Sequence, residues 1–303
     1  MIDITTESEP GNIDEGEFEF AKPEIFGNLP WLSYTETRHI PGNDLSGNVS
    51  ISPRVLNEDK FLALKPDGIS YDDWVIQQRA LAMARLEIIG ETAGFDKIGH
   101  PFAVHETNTI DLDEDIDSVD YTKPRADVTR ADITLLSKPG TASMIAPADC
   151  IIATVAFPDE KAVGQIHIGF QGAEKDVVTK ALVHFKKKGL DTSKALVYMS
   201  PHVQSGFPLS DDEQQEIHHK LLANASDEMR NIIESGTDNS GVWPEVYLTK
   251  MALDEFSKNG FGDNRVEVSP IDTFSSDKVF SEYKGRTDPR ADGRFAVVVG
   301  VKK

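Results

Sequence analysis

Short apolar and β-branched runs, separated by turn residues, fill the middle of the chain and constrain its fold more than any other feature. Four runs follow one another, at residues 133–137, 143–146, 150–157 and 162–168. Proline residues, one of them followed by glycine, interrupt the runs. Runs of roughly four to eight residues bounded by such breakers are typical of β-strands. We therefore predict a sheet built largely from this segment.

Helices and further strands are predicted on both sides of it. Apolar residues recur at helical spacing over 71–90 and 173–188, and Ser210 and Trp243 begin two further helices. Additional strands are predicted at 194–200, 265–269 and 294–301. Because no linker or break in composition divides the chain, this mixture predicts a single α+β domain over residues 25–303.

Charge and composition exclude several classes of function. The chain has 303 residues, with 31 Lys and Arg against 51 Asp and Glu, and a formal net charge of −20. A surface this acidic repels duplex nucleic acid and anionic membranes, so we expect neither as a partner. No apolar run approaches the roughly 18 residues that cross a bilayer, and one cysteine excludes an intrachain disulfide. We expect a cytoplasmic protein in which residues 1–24 form a disordered acidic arm.

Residues 111–120 form a second acidic segment, in which aspartates alternate with other residues. This pattern resembles a calcium-binding EF-hand loop, which requires glycine at its sixth position and glutamate at its twelfth. Ile116 and Thr122 occupy those positions. We therefore interpret the segment as a solvated surface loop.

The two central runs predict that the only cysteine and one histidine share a sheet face. If these runs form an antiparallel hairpin around residues 158–161, Ile152 pairs with His167. Cys150 then lies diagonally across from His167, with Cα atoms roughly 7–8 Å apart. At this separation the thiol and the imidazole are within reach of a shared ligand.

Three interpretations of Cys150 and His167 are open at this point. The two side chains are packed core residues, a thiolate–imidazolium nucleophile pair, or two of three ligands of a zinc ion whose fourth position is open. His105 follows a short apolar run and is a candidate third ligand. Spacing does not separate it from other histidines of the chain, namely His39, His100, His184 and His202.

A glycine-bearing turn follows His167. Residues 168–172 read Ile-Gly-Phe-Gln-Gly and lead from the predicted strand to the predicted helix. Amide groups after Gly172, at a helix start, would favour an anion such as phosphate. Alternatively, Gly169 and Gly172 only permit a tight turn.

These residues resemble the motifs of the laccase-domain family, also described as the YfiH-type or multicopper polyphenol oxidoreductase family. Residues 148–150 are similar to the family's A-D-C motif, and residues 167–172 to its H-A-G-W-R-G motif. Looser similarities follow the family's order over about residues 30–300, at 35–38, 78–79, 104–105, 131–134, 200–203, 243 and 280–296.

The chain also departs from the family pattern. Gln171 stands in place of the motif's arginine, Phe170 in place of its tryptophan, and Glu106 in place of the glycine after the family's first histidine. The paired arginines of the C-terminal motif are largely absent. We therefore expect a divergent member whose substrate contacts differ from those of the family.

The resemblance implies an α+β fold in which helices cover two packed mixed sheets, in α/β/β/α layers. It also implies that His105, Cys150 and His167 are the metal ligands and the catalytic residues. The implied metal is zinc, with copper as an alternative. The implied activity is purine nucleoside phosphorolysis with adenosine deamination, on adenosine, inosine, guanosine or methylthioadenosine.

The implied reaction needs groups for phosphate and for the leaving purine. Phosphate requires local positive charge in a chain this acidic, for which Arg38 and Arg294 are candidates. Gln171 and Gly172 complete the predicted substrate- and phosphate-binding set. Three carboxyl groups are candidate proton donors to the purine, and spacing does not choose among them: Asp149, Glu106 and Asp132. The expected partners are a purine nucleoside and phosphate, bound by a monomer or a homodimer.

Other functions remain open. A metal-free cysteine hydrolase would use Cys150 as the nucleophile and His167 as the base. A copper-dependent polyphenol oxidase, a factor that edits peptidoglycan precursors and a binding-only protein are further alternatives. A multicopper site needs many imidazoles, whereas the whole chain has eight histidines.

Overall fold

The structure is a computed structural model. It describes residues 23–37, 65–71, 73–74, 77, 89, 93–116, 129–204, 247–285 and 293–303. Several predicted features lie outside these ranges: nearly all of the acidic arm over 1–24, the helix from Ser210, the start of the helix at Trp243, the motif pair at 78–79, residues 117–120 and Arg38.

Ten strands are formed within the described ranges. In chain order they are β1 (Leu32–Glu36), β2 (Lys97–Gly99), β3 (Thr109–Asp111), β4 (Ile133–Leu136), β5 (Thr141–Ile145), β6 (Ile151–Phe157), β7 (Ala162–Ile168), β8 (Leu196–Met199), β9 (Val266–Val268) and β10 (Val297–Val301). Each strand predicted from the sequence is present, with ends shifted by up to three residues.

The strands form two mixed sheets. One has six strands in the order β3-β4-β7-β6-β8-β9, and the other has four in the order β1-β10-β5-β2. Neighbouring strands are antiparallel except for three parallel pairs, β2–β5, β3–β4 and β8–β9. The predicted hairpin register is confirmed, since Ile152 pairs with His167 and Phe157 pairs with Ala162.

Five helices have bounds within the described part of the chain, and residues 71, 73, 74, 77, 89 and 93 are also helical. The five helices are α1 (Leu112–Asp115), α2 (Phe170–Glu174), α3 (Val177–Lys187), α4 (Tyr247–Lys258) and α5 (Glu282–Gly285), with 3₁₀ turns at Glu24–Phe26 and Asp263–Arg265. None of them combines the length and the apolar character that crossing a bilayer requires.

Alternate residues of β6 and β7 separate the two faces of the six-stranded sheet. On one face, Ile151, Val155 and Ile166 pack in a core with α3 and α4. The face of α3 predicted from the sequence is buried there, through Val177, Val178, Ala181, Leu182 and Phe185. This core joins one layer of helices to the six-stranded sheet.

The opposite face of the six-stranded sheet packs against the four-stranded sheet. Ile152 and Val163 cluster there with Val297 and Val299 of β10. On the far side of the four-stranded sheet, Met144 and Val298 cluster with Ile89, which is helical. The predicted α/β/β/α layering is therefore confirmed.

The helix predicted over 173–188 is in fact two helices, α2 and α3. The helical conformation is interrupted between them at Asp176, which has a left-handed φ of 54° and provides no side-chain cap. The cap comes from α4 instead, because Glu255 Oε1 accepts a hydrogen bond from the N–H of Thr179 at 2.7 Å. Asn259 adds a second link, donating to Thr179 Oγ1 at 2.8 Å.

The described part of the acidic 111–120 segment is more ordered than the predicted surface loop, and that prediction is wrong for residues 111–116. Asp111 ends β3 and caps α1 by accepting from the N–H of Asp113 at 3.1 Å. Asp113 in turn accepts from the N–H groups of Ser137 and Lys138 at 2.8 and 2.9 Å. These carboxylates fix the turn after β4.

Replacing Glu255 by glutamine should change how stability depends on pH. Burial raises the pKa of Glu255 to about 7, against the hydrogen bonds from Thr179 that lower it. The folded chain therefore retains a proton that the unfolded chain releases, and the free energy of unfolding falls as pH rises from about 4.5 to 7. Glu255→Gln keeps an acceptor for Thr179, so urea unfolding should show it about 3 kcal/mol more stable than wild type at pH 8.

The two chains should differ little in stability at pH 4.5, where the side chain of residue 255 is neutral in both folded proteins. Glu255→Ala is the control, since it removes the cap and should lower stability at pH 4.5 by about 1 kcal/mol. Identical pH dependence in wild type and Glu255→Gln would contradict the burial of an ionisable carboxyl at this position.

Candidate metal centre

Three side chains from separate segments meet at one end of the six-stranded sheet. Cys150 immediately precedes β6, His167 lies near the end of β7, and His105 lies in the loop between β2 and β3. Cys150 Sγ is 3.6 Å from His105 Nε2, and the two imidazole centroids are 4.8 Å apart. We call these three residues the His–Cys–His cluster. Within the described ranges it is the one group of three or more Cys, His, Asp or Glu side chains with metal-ligand spacing.

The structure shows which of the described candidate histidines lies with Cys150 and His167: it is His105. His202 is buried in contact with the carbonyl oxygen of Ser200 and with Thr249 Oγ1, at 2.7 and 2.6 Å. His100 is buried against backbone groups, and burial lowers its pKa to about 3. His184 lies on α3, and His39 lies outside the described residues. Among the described histidines, only His105 and His167 lie in the cluster with Cys150.

Asp132 connects the imidazole of His167 with the backbone of the loop that carries His105. Its Oδ1 is 2.8 Å from His167 Nδ1 and accepts from the N–H groups of Val104 and His105 at 3.0 and 2.8 Å. Its Oδ2 accepts from the N–H of Glu106 at 3.0 Å. A carboxylate acceptor requires a proton on Nδ1, so His167 presents Nε2 to the cluster. The same carboxylate stabilises the loop that carries His105, whose φ of 60° is unfavourable for a residue with a Cβ.

Charge coupling favours ionised side chains in the cluster. Burial alone would raise the pKa of Cys150, but the charge of His167 and hydrogen bonds from both histidines lower it to about 6. Burial would lower the pKa of His167, but the Cys150 thiolate and Asp132 raise it to about 9. Burial likewise opposes the ionised form of Asp132, yet His167 and the loop amides hold the pKa of this carboxyl below its usual value. Cys150 is thus poised as a thiolate.

Gly169 leaves the space in which the cluster assembles. A Cβ at this position would lie 2.7 Å from His105 Cδ2 and 3.0 Å from Cys150 Sγ. The backbone of Gly169 is extended, with φ −105° and ψ 176°. Glycine is therefore required at this position for close approach, and the interpretation as a tight turn is wrong for this residue.

The predicted phosphate site is only partly consistent with the structure. Helix α2 begins at Phe170, so the buried Gly172 lies inside it and Gln171 lies in its first turn. The amides after Gly172 are engaged, since Ala173 N–H donates to Gly169 O at 2.9 Å and Lys175 N–H donates to Gly172 O at 3.1 Å. The prediction that they bind an anion is wrong, because the helix starts earlier than its apolar pattern indicated.

The candidate cation Arg294 is paired with an acidic residue. Its Nη2 lies 2.6 Å from Glu282 Oε2, and its Nη1 donates to Gly293 O at 2.8 Å. The other candidate, Arg38, lies outside the described residues. Lys175, which was not predicted from the sequence, contacts the loop of the cluster, because its Nζ is 3.4 Å from the carbonyl oxygen of His105.

The three candidate proton donors differ in their surroundings. Asp149 is buried and accepts from Thr273 Oγ1 at 2.7 Å and from Tyr283 N–H at 3.1 Å, so it anchors the C-terminal segment beside Cys150. Asp132 binds His167 and the loop of His105. Glu106 has a half-exposed carboxylate, and its Oε1 lies 2.7 Å from Lys175 Nζ. Two of the three carboxylates therefore hold the protein structure together.

The donor set of the cluster fits a zinc ion. One thiolate and two imidazoles are ligands that zinc prefers, and ligand atoms around tetrahedral zinc lie about 3.5 Å apart. The Sγ–Nε2 distance of 3.6 Å matches this value, and all three ligand atoms lie within 4.8 Å of one another. Asp132 supplies the carboxylate partner that metal-binding histidines usually have.

Asp132→Asn should weaken metal binding without unfolding the chain. The asparagine side chain lacks the negative charge that orients His167. It also has one acceptor oxygen fewer for the loop of His105, so zinc affinity should fall by about 10- to 100-fold. Competition with a chromogenic chelator measures the affinity. Asp113→Asn is the matched control, because Asp113 also accepts backbone N–H groups but contacts no cluster residue. Equal zinc affinity in Asp132→Asn and wild type would show that Asp132 does not position the ligands.

Gly169→Ala should disrupt the cluster, whereas Gly172→Ala should not. The Cβ in the first variant overlaps His105 and Cys150, but in the second its nearest neighbour is Val177 Cγ1 at an ordinary 3.4 Å. Bound zinc per chain and thermal unfolding should separate the two variants. Full zinc binding by Gly169→Ala would contradict the close approach of the His105 and Cys150 side chains to the backbone of residue 169.

Comparisons with known proteins agree with this fold. The family model for multi-copper polyphenol oxidoreductase laccase matches residues 74–302. No curated protein matches the chain in sequence at a significant level.

Three solved structures are similar over most of their length. The Bacillus licheniformis hypothetical protein YfiH has a TM-score of 0.68 at 14% identity, covering 91% of this chain and 94% of that one. Neisseria meningitidis protein NMB0706, of the DUF152 family, has a TM-score of 0.66 at 16% identity, and the match covers 95% of this chain and 100% of that one. YlmD from Geobacillus stearothermophilus has a TM-score of 0.67 at 14% identity, and the match covers 94% of this chain and 100% of that one. At these identities the likeness shows a shared fold. With the family match over most of its length, the chain belongs to the multi-copper polyphenol oxidoreductase laccase family as a divergent YfiH-type member.

Proposed function

We propose that the chain is a zinc-dependent enzyme that acts on purine nucleosides, as a nucleoside phosphorylase with adenosine deaminase activity. The observation that carries the proposal is the His–Cys–His cluster held by Asp132. Three protein ligands leave one tetrahedral position for water or substrate, which is the pattern of catalytic zinc sites. The family, whose members are broadly purine nucleoside phosphorylase-like or laccase-like, supports the substrate class.

Each side chain has a defined part in the proposed site. Cys150 would bind the metal as a thiolate, which its lowered pKa favours. His167 keeps its proton on Nδ1 toward Asp132 and directs Nε2 to the metal, while His105 presents Nε2 beside Cys150. Bound zinc would supply Lewis acidity for the activation of water or phosphate.

All three proposed ligands come from one chain, so a monomer has a complete metal site, and a homodimer would contain two. The proposed ligands are a purine nucleoside and phosphate, with Gln171 as a proposed substrate contact. Arg294 would have to exchange Glu282 for phosphate before it could bind the anion. The single cysteine, without a disulfide, fits a reducing compartment, and we propose that the protein is cytoplasmic.

Zinc accounts for the donor set better than the multicopper centre in the family's name. A multicopper oxidase needs several copper ions and correspondingly many imidazoles, whereas the whole chain has eight histidines. Within the described ranges, the His–Cys–His cluster contains two of them and His100 and His202 are buried elsewhere. Catalytic zinc sites combine three protein ligands of these types with an open fourth position, whereas single copper ions held by one thiolate and two imidazoles take a further, weak axial ligand.

A metal-free cysteine hydrolase is the second candidate, and a specific observation favours it. The charge of His167, the predicted base, lowers the pKa of the Cys150 thiol and favours the thiolate, and Cys150 Sγ also lies 3.6 Å from His105 Nε2. A thiolate beside an imidazolium is an activated nucleophile. Such an enzyme would be inhibited by alkylation of Cys150 and would be insensitive to chelators.

Metal content and nucleoside turnover, measured on the same preparations, test the proposed function. We expect near-stoichiometric zinc in the wild type, with release of hypoxanthine from inosine and adenine from adenosine in phosphate buffer. Cys150→Ala and His167→Ala should lose both zinc and turnover, because each removes a ligand. His184→Ala is the matched control, since it removes a histidine outside the cluster, and it should retain both.

Two other outcomes would show which part of the proposed function is wrong. Zinc without turnover of any purine nucleoside would overturn the substrate class but leave the metal site. A chain without metal, inactivated by alkylation and resistant to chelators, would overturn the zinc mechanism in favour of the cysteine hydrolase.

A further inference from the structure

A lysine and a glutamate bridge the two segments that flank the His–Cys–His cluster. Glu106 directly follows His105 in its loop, and Lys175 lies between α2 and α3, in the segment that follows His167 and Gly169. Lys175 Nζ lies 2.7 Å from Glu106 Oε1 and 3.4 Å from the carbonyl oxygen of His105. The ion pair therefore lies beside the proposed metal site, on the loop that carries one of its ligands.

The two partners are held in different ways. The backbone of Glu106 is fixed by its N–H bond to Asp132 Oδ2 at 3.0 Å, so its side chain starts from an anchored position. The side chains of Lys175 and Glu106 are 35% and 51% exposed, which leaves both accessible to a solute. An ammonium group has three N–H donors, and Glu106 and His105 account for two of them.

A negatively charged ligand needs such a cation in this protein. The chain carries a formal charge of −20, so a phosphate ion approaching it meets overall repulsion. The guanidinium of Arg294 is already paired with Glu282. Lys175 instead lies with its ammonium group 3.4 Å from the backbone carbonyl of His105, a residue of the His–Cys–His cluster.

We propose that Lys175 is the phosphate-binding residue of this site and that Glu106 competes with phosphate for it. This inference rests on the proposed function. In the free protein Glu106 occupies the ammonium group, and bound phosphate takes its place while Glu106 turns to solvent. Phosphate presents more negative charge and more acceptor oxygens than a carboxylate, so it displaces Glu106 once its concentration is sufficient. The pair thereby sets the phosphate concentration at which the site fills.

Opposite effects of two substitutions test this arrangement. Lys175→Gln should raise the Kd for inorganic phosphate by about tenfold or more, because a charged donor is lost. Glu106→Gln should lower that Kd by about two- to fivefold, because the competitor is lost. Binding of phosphate to the zinc-loaded protein is measured by calorimetry at constant ionic strength. Lys180→Gln and Glu114→Gln are matched controls that make the same charge changes at exposed sites on α3 and α1, and they should leave the Kd unchanged.

Nucleoside turnover gives a second readout. If inosine is a substrate, the KM for phosphate should move with the Kd in both variants while the KM for inosine stays within about twofold. A purely structural ion pair would instead change thermal stability in both variants and leave phosphate binding unchanged, which would overturn the inference. Absence of saturable phosphate binding to the wild type would also overturn it. Because phosphate binding is measured without nucleoside, it separates this inference from the substrate class of the proposed function.

Discussion

The carboxylate of Asp132 is the interaction on which the rest of the site depends. It is fully buried and accepts from three successive loop amides and from one imidazole. Four donors on one carboxylate offset its desolvation, and they join two segments that are distant in sequence. The left-handed backbone of His105 is stabilised by the same bonds. A single charge therefore fixes the orientation of His167 and the position of His105 relative to Cys150.

The sheets place this carboxylate where it can act. Asp132 immediately precedes β4, whose first residue Ile133 pairs with Ile166 of β7. Its backbone carbonyl accepts from the N–H of His167 at 2.7 Å, so the two residues lie side by side at the end of the ladder. Cys150 lies at the start of the adjacent strand, β6. Strand ends carry side chains that the core does not need, and in this protein they supply two ligands and the group that orients one of them.

The sequence alone was sufficient to predict that Cys150 and His167 lie close together. The hairpin of β6 and β7 is local, and a four-residue turn sets its register, so the shared face of Cys150 and His167 followed from counting residues. His105 could not be chosen this way, because its loop is positioned by pairing of β3 with β4 and by Asp132, which are contacts between distant segments. The resemblance to family motifs selected it instead. The role of Gly169 was missed because a close approach of side chains leaves no periodic signal.

Helix ends and ion pairs were the least predictable features. The apolar pattern of α3 was read correctly, but Glu255 from α4 provides its cap, and α2 before it has no comparable stripe. Arg294 was selected for its charge, although its pairing with Glu282 depends on tertiary structure.

The central claim is that one thiolate and two imidazoles bind one zinc ion, and X-ray absorption at the zinc edge tests it most directly. The account predicts one sulfur at about 2.3 Å and two imidazole nitrogens at about 2.0–2.1 Å, whereas a shell of oxygen and nitrogen atoms without sulfur would contradict it.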